Sequence, residues 1–206
     1  MSDTATSIPD ELRGRRVIIA LTGGIACYKI ANVVSALAQG GIEVTVAMTD
    51  AATKFITPLT FQALSGRPVY TSQWQHVEAH DPQHIQLARS AEATLVAPCS
   101  MDMLARLVTG RTDDVVSLII SAIDRSQQPV LLAPSMNEVM YNQPATQRNL
   151  KQLRADGFTV IQPESGWQAC RTEGVGRLPE PPRLIDAVIQ ALRPADETWP
   201  TSTTGS

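Results

Sequence analysis

Arg16–Leu21 (RVIIAL) is apolar without alternation and runs directly into a Thr-Gly-Gly turn. A strand with one wet face alternates apolar and polar residues, so an unbroken apolar run belongs to a strand covered on both faces. The next apolar positions, Ile30, Val33, Val34 and Leu37, fall at i, i+3, i+4 and i+7 and predict a helix. Gly40-Gly41 stops that helix, and Glu43–Met48 (EVTVAM) is a second strand. The opening of the chain is therefore a βαβ unit with a glycine-bearing first turn.

The same rhythm continues. A loop and a helix over Pro58–Ser65 precede an irregular region to Pro82. Helix 84–91, strand 94–97 and helix 101–108 follow, and Val116, Ile119, Ile120 and Ile123 mark a further helical face. Strand 129–133, helix 144–156, strand 158–161 and helix 182–192 complete the pattern. Alternating strands and helices predict an α/β fold, a single-domain doubly wound parallel sheet of Rossmann or flavodoxin type. The expected domain covers residues 16–193, with a flexible polar arm over 1–15 and a disordered polar tail over 194–206.

Several function classes are disfavoured at once. A net charge of −3 lacks the basic face that a nucleic-acid binder needs. No apolar run approaches the ~20 residues that span a bilayer, and no apolar h-region of a secretory signal opens the chain. Cys27, Cys99 and Cys170 are an odd, widely spaced set, read as free thiols in a reducing, cytoplasmic compartment. His76, His80 and His84 carry no metal-ligand spacing, so no metal site is expected.

The segments that could carry chemistry each follow a strand, where open α/β sheets bind ligands. Gly23, Gly24 and Ile25 open the first helix, whose free N–H groups suit a phosphate, though the tract is neither GxGxxG nor a Walker loop. Thr49 follows the second strand without an acidic ribose clamp, which favours a mononucleotide such as FMN over a dinucleotide. Ser100, Met101, Asp102 and Met103 form the third turn, where Ser100 is equally a good helix cap. The tract 133–141 (APSMNEVMY) places Asn137 at a strand end. Its side chain is either an uncharged donor for a carboxylate or a helix cap. His84 opens a helix, and Cys170 sits among Gly166, Gly174 and Gly176 in a loop that could close over a ligand.

Taken in order, TGGIACYK, HIQLAR, APCS, PSMNEVM and ACRTEGVGRLPEP resemble the flavin-dependent cysteine decarboxylases, over roughly residues 15–193. The likeness is strongest to the branch that acts on phosphopantothenoylcysteine in coenzyme A biosynthesis. It implies FMN as cofactor, decarboxylation of 4'-phosphopantothenoylcysteine to 4'-phosphopantetheine, and a homotrimer or an assembly of trimers with the flavin at a subunit boundary. It also implies roles. His84 is the acid/base partner of the oxidation, and Cys170 the proton donor of the reduction. Gly23, Gly24, Ile25, Thr49, Ser100, Met101, Asp102, Met103 and Ser135 lie along FMN. Asn137, Trp167, Ala169 and Leu178 meet the substrate.

The chain departs from that pattern at Arg171-Thr172, where many relatives carry Gly-Asp, and around Asp102, which lacks an Ala-Asn found in several. It ends before a fused ligase could fit, which implies a stand-alone decarboxylase. Two other readings stay open: a peptide C-terminal cysteine decarboxylase that releases an enethiol, and a flavin-bound regulatory paralogue without turnover. Cys170 argues against the first, because a reductive return step needs that proton donor, and the presence of His84, Asn137 and Cys170 together argues against the second.

Overall fold

The computed structural model describes residues 8–74, 82–169 and 171–193. Its centre is a six-stranded, wholly parallel sheet in the order β3-β2-β1-β4-β5-β6. The strands are β1 (Arg16–Leu21), β2 (Glu43–Met48), β3 (Val69–Tyr70), β4 (Ala93–Cys99), β5 (Val130–Pro134) and β6 (Thr159–Val160). The helices are α1 (Cys27–Gln39), α2 (Asp50–Thr53), α3 (Pro58–Ser65), α4 (Gln83–Ser90), α5 (Met101–Thr109), α6 (Val115–Ser121), α7 (Glu138–Tyr141), α8 (Pro144–Ala155) and α9 (Pro181–Leu192).

The unalternating β1 is used on both faces. Val17, Ile19 and Leu21 pack with α1, Phe61 of α3 and Leu184, Ile185, Val188 and Ile189 of α9. Ile18 and Ala20 point the other way, into a layer built from α4, α5, α6 and α8. Each fully buried aliphatic side chain contributes about 1.5–3 kcal/mol, so two apolar faces on one strand hold the three layers together. The positions at helical spacing, Ile30, Val33, Val34 and Leu37, are all fully buried, as are Val116, Ile119 and Ile120.

Two segments differ from expectation. The sequence predicts a flexible arm over residues 1–15, yet within its described part a 3-10 turn at Asp10–Leu12 buries Leu12, and Ile8 packs on the α1 layer. Gly40 leaves the space that Ile8 occupies. Apolar Ile8 and Leu12 gain more from burial than the short arm loses in entropy. The glycine-rich segment near the C-terminus is a two-stranded antiparallel hairpin, β7 (Glu164–Trp167) and β8 (Glu173–Arg177), and not a loop. Glycine content hides the strand signal in sequence, while Gly166 at φ +153 and Gly176 at φ +124 adopt backbone that other residues resist. The expected tail, 194–206, lies outside the described residues.

Candidate active site at the carboxyl ends of the strands

The strand order reverses between β1 and β4, and a crevice opens outside the carboxyl ends of the strands at such a point. Thr22 ties the two strand ends together. Its hydroxyl donates to Pro98 O at 2.6 Å and accepts from the Ser100 N–H at 2.8 Å, while its own N–H reaches Pro98 O at 3.2 Å. Ser135 N–H donates to Cys99 O at 3.1 Å and brings the turn after β5 to the same place.

A cavity of about 500 Å³ lies over these three turns, within the usual range for a small-molecule site. Gly23, Gly24, Ile25 and Ala26 form one wall. Among the described residues no acceptor meets the backbone N–H groups of these four. Four consecutive unpartnered donors at the start of α1 suit an anionic oxygen. A side chain at Gly23 would bring its Cβ to 2.7 Å from Ala51 Cβ, so the close passage of α2 demands glycine there. Ser100, Met101, Ser135, Met136, Asn137 and Met140 supply the floor. Exposed Ile25, Tyr28, Met140 and Trp167 give the rim an apolar character. An anion-ready turn beside a broad apolar space fits the phosphate and the flat ring of FMN.

The Ser100 and Asn137 side chains both cap helices. Ser100 Oγ accepts from Met103 N–H at 3.2 Å, and Asn137 Oδ1 from Met140 N–H at 2.8 Å. For Asn137 the cap uses only the carbonyl oxygen. Its Nδ2 has no partner among the described residues, so two N–H donors remain for a ligand. Capping and binding coexist in one side chain.

The β7–β8 hairpin covers the cavity from the other side through Trp167, Gln168, Ala169, Gly176, Arg177 and Leu178. Met136 N–H donates to Gly176 O at 3.0 Å, and any side chain at Gly176 would collide with Met136 O. Gln168 is the stitch. Its Oε1 accepts from Glu138 N–H at 3.3 Å, and its Nε2 donates to Val175 O at 3.0 Å and Gly174 O at 3.3 Å. Buried Lys29 anchors the far end: its Nζ donates to Leu178 O at 3.3 Å and pairs with Glu180 Oε1 at 2.9 Å. Arg177 also pairs with Glu180.

Of the residues named from sequence, the cavity gathers Gly23, Gly24, Ile25, Ser100, Met101, Ser135, Asn137, Trp167, Ala169 and Leu178. Four others lie off its lining. Met103 is buried in the core against α6. Asp102 is turned outward to Arg106. The Thr49 hydroxyl caps α2 by accepting from Ala52 N–H at 3.2 Å. Half-buried His84 sits in the first turn of α4. Cys170, as well as His76 and His80, lies outside the described residues. Sequence reasoning passed over Tyr28, Lys29, Gln168 and Arg177. Tyr28, Lys29 and Arg177 stand inside quoted motifs and Gln168 directly precedes one, so proximity to the motif was the available signal. Cys27 and Cys99 are free thiols as expected, and both are buried. Burial pushes Cys27 up to about 11 and Cys99 up as well, so neither is a ready nucleophile. Among the described residues no helix is long and apolar enough to cross a membrane.

A profile of the Flavoprotein family matches residues 5–193. The coenzyme A biosynthesis bifunctional protein CoaBC of Haemophilus influenzae is 41% identical over 178 residues, covering 86% of this chain and 44% of the relative. The chain thus spans less than half the length of that curated relative. Among solved structures, a PPC decarboxylase mutant with a cysteine-to-serine change, complexed with pantothenoylaminoethenethiol, superposes with a TM-score of 0.77. It has 29% identity and covers 85% of this chain and 97% of that one. The FMN-dependent cysteine decarboxylase SpaF gives 0.74 at 25% identity, covering 88% and 97%.

Proposed function

We propose that this chain, which belongs to the Flavoprotein family, is an FMN-dependent carboxy-lyase that converts 4'-phosphopantothenoylcysteine to 4'-phosphopantetheine. The observation that carries the reading is one cavity walled by the unpartnered N–H groups of residues 23–26 and by the free Nδ2 of Asn137. The first suits a cofactor phosphate and the second a substrate carboxylate. Similarity to CoaBC and to the PPC decarboxylase supports the substrate class.

The chemistry gives these residues a purpose. An N-acylated cysteine has no electron sink beside its carboxylate, so direct loss of CO2 leaves an unstabilised carbanion. A thioaldehyde formed from the CH2–SH group provides the sink, and decarboxylation then yields a delocalised enethiolate. When bound, FMN supplies the acceptance and later return of the hydride. Gly23, Gly24 and Ile25 hold its phosphate, with Ser100, Met101 and Ser135 along the remainder. Asn137 Nδ2 orients the carboxylate without a charge that would oppose its departure as CO2. His84 exchanges the thiol proton in the oxidation, and Cys170 donates the proton taken up as the enethiol is reduced. Trp167, Ala169 and Leu178 exclude water above the substrate.

His84 lies off the cavity of its own chain, which supports a site completed at a boundary between copies, in a homotrimer or an assembly of trimers. The proposed setting is the cytoplasm. The test is direct. Purified protein is yellow and releases FMN, not FAD, and it liberates CO2 from phosphopantothenoylcysteine with phosphopantetheine as product. Colourless protein that takes up no FMN, or a product lighter by two hydrogens, overturns the reading.

A further inference from the structure

Two main-chain bonds close the tip of the hairpin over the cavity: Gln168 N–H to Thr172 O at 2.8 Å and Arg171 N–H to Gln168 O at 2.9 Å. A three-residue tip of this kind ends on a left-handed residue, the position that glycine fills without steric cost. Here that residue is Arg171, at φ +64, the one non-glycine with positive φ among the described residues. An L-residue in this region crowds its own Cβ against the chain.

The two main-chain bonds of the tip hold the backbone there. Arg171 is exposed, and among the described residues its guanidinium makes neither a hydrogen bond nor an ion pair. The cations that line the cavity, Lys29 and Arg177, share the one carboxylate of Glu180. The hairpin therefore holds, on a left-handed backbone, a guanidinium unpaired among the described residues, two residues from Ala169, which lines the cavity. A non-glycine residue held in this backbone beside a cavity is a lead to function.

Resting on the decarboxylase reading, we propose that Arg171 is a specificity residue that binds the phosphate of the substrate at the cavity mouth. Asn137 meets the carboxylate at one end of phosphopantothenoylcysteine, and the dianionic phosphate at the other end calls for a cation, which Arg171 offers without a carboxylate partner among the described residues. A planar guanidinium fork matches phosphate oxygens in pairs.

The test is Arg171→Gly, assayed with phosphopantothenoylcysteine and with pantothenoylcysteine, which lacks the phosphate. Glycine suits the left-handed position, so the melting temperature stays level or rises by about 2–4 °C, and the flavin spectrum is unchanged. KM for the phosphorylated substrate rises about 10-fold, in the range of an exposed charge-assisted contact, with kcat unchanged. KM for pantothenoylcysteine does not move. The parent's KM for the phosphorylated substrate climbs with salt, and the variant's stays flat. An active variant that keeps the parent's preference overturns the assignment. So does an equal rise of KM for both substrates, which makes Arg171 a residue of hairpin geometry alone. A parent that decarboxylates neither substrate overturns the functional reading, and the phosphate assignment falls with it.

Discussion

Asn137 Oδ1 lies 2.8 Å from the Met140 backbone nitrogen, so the side chain that offers its amide to the cavity is also the cap of α7. Aspartate caps a helix as well as asparagine does. Asn137→Asp therefore keeps the fold and the flavin while it replaces the free donors with a charge that repels the substrate carboxylate. Turnover falls at least about 100-fold, in the range seen when one preorganised donor is removed, with the melting temperature unchanged. Asn137→Ala loses the cap too and costs about 1 kcal/mol, read as a drop of about 2–4 °C. Equal kinetics in parent and Asn137→Asp would reduce Asn137 to a cap.

The Lys29–Glu180 pair is asymmetric, with the Lys29 side chain 9% exposed and Glu180 48%. Lys29→Met exchanges a buried cation for an apolar chain of similar length and leaves Glu180 paired with Arg177, a change that is near neutral for stability. Glu180→Gln strands a buried ammonium beside the Arg177 guanidinium. It costs about 2 kcal/mol after discount for the exposed partner. Urea denaturation of the two variants checks the order, and a less stable Lys29→Met contradicts it.

Cys27 makes a pH prediction. Burial raises the folded thiol from 9.0 to about 11, with its Sγ–H set toward Thr22 O at 3.3 Å. The folded state keeps the proton longer than the unfolded chain, so the contribution is fully present below pH 9. It declines between about pH 9 and pH 11, by about 2–3 kcal/mol at most. Stability of Cys27→Ala plotted against pH runs flatter than the parent over this window. Parallel curves would show that Cys27 ionises freely in the fold.

The fourth prediction concerns a site shared between copies. His84→Asn keeps its flavin and loses about 10²–10⁴-fold of the oxidative half-reaction. Asn137→Asp is equally inactive. If His84 and Asn137 serve one site from two chains of a closed ring, subunit exchange between the variants restores about one quarter of parental activity, because that share of sites receives both intact residues. A mixture that stays inactive means that both residues come from the same chain.

The layered fold was legible in the sequence because its signals are local. β1 and β2 begin and end where predicted, β1 because its apolar run stops at the Thr-Gly-Gly turn and β2 because Gly40-Gly41 separates it from the preceding helix. The helix Pro58–Ser65 likewise matches, with proline at its first turn and Gly66 in the left-handed cap. Part of the cavity lining was legible for a like reason: Gly23, Ser100 and Asn137 each follow a strand, and a parallel sheet delivers every such turn to one edge.

Contacts between distant segments were not legible. Lys29 meets Glu180 across 151 positions, and Gln168 reaches Glu138 across 30, so no window along the chain contains either pair. The hairpin was hidden because its glycines are chosen for backbone close approach, which composition reports only as looseness. His84 looked like a cavity residue from its motif, yet the packing of α4 against α6 decides where it stands. Periodicity thus determined the layers and the strand-end turns, because burial of a face is written into neighbouring residues. Tertiary structure alone decided which cations share Glu180 and that the hairpin folds back over the strand-end turns, because each depends on groups far apart in the chain that meet only when the layers pack.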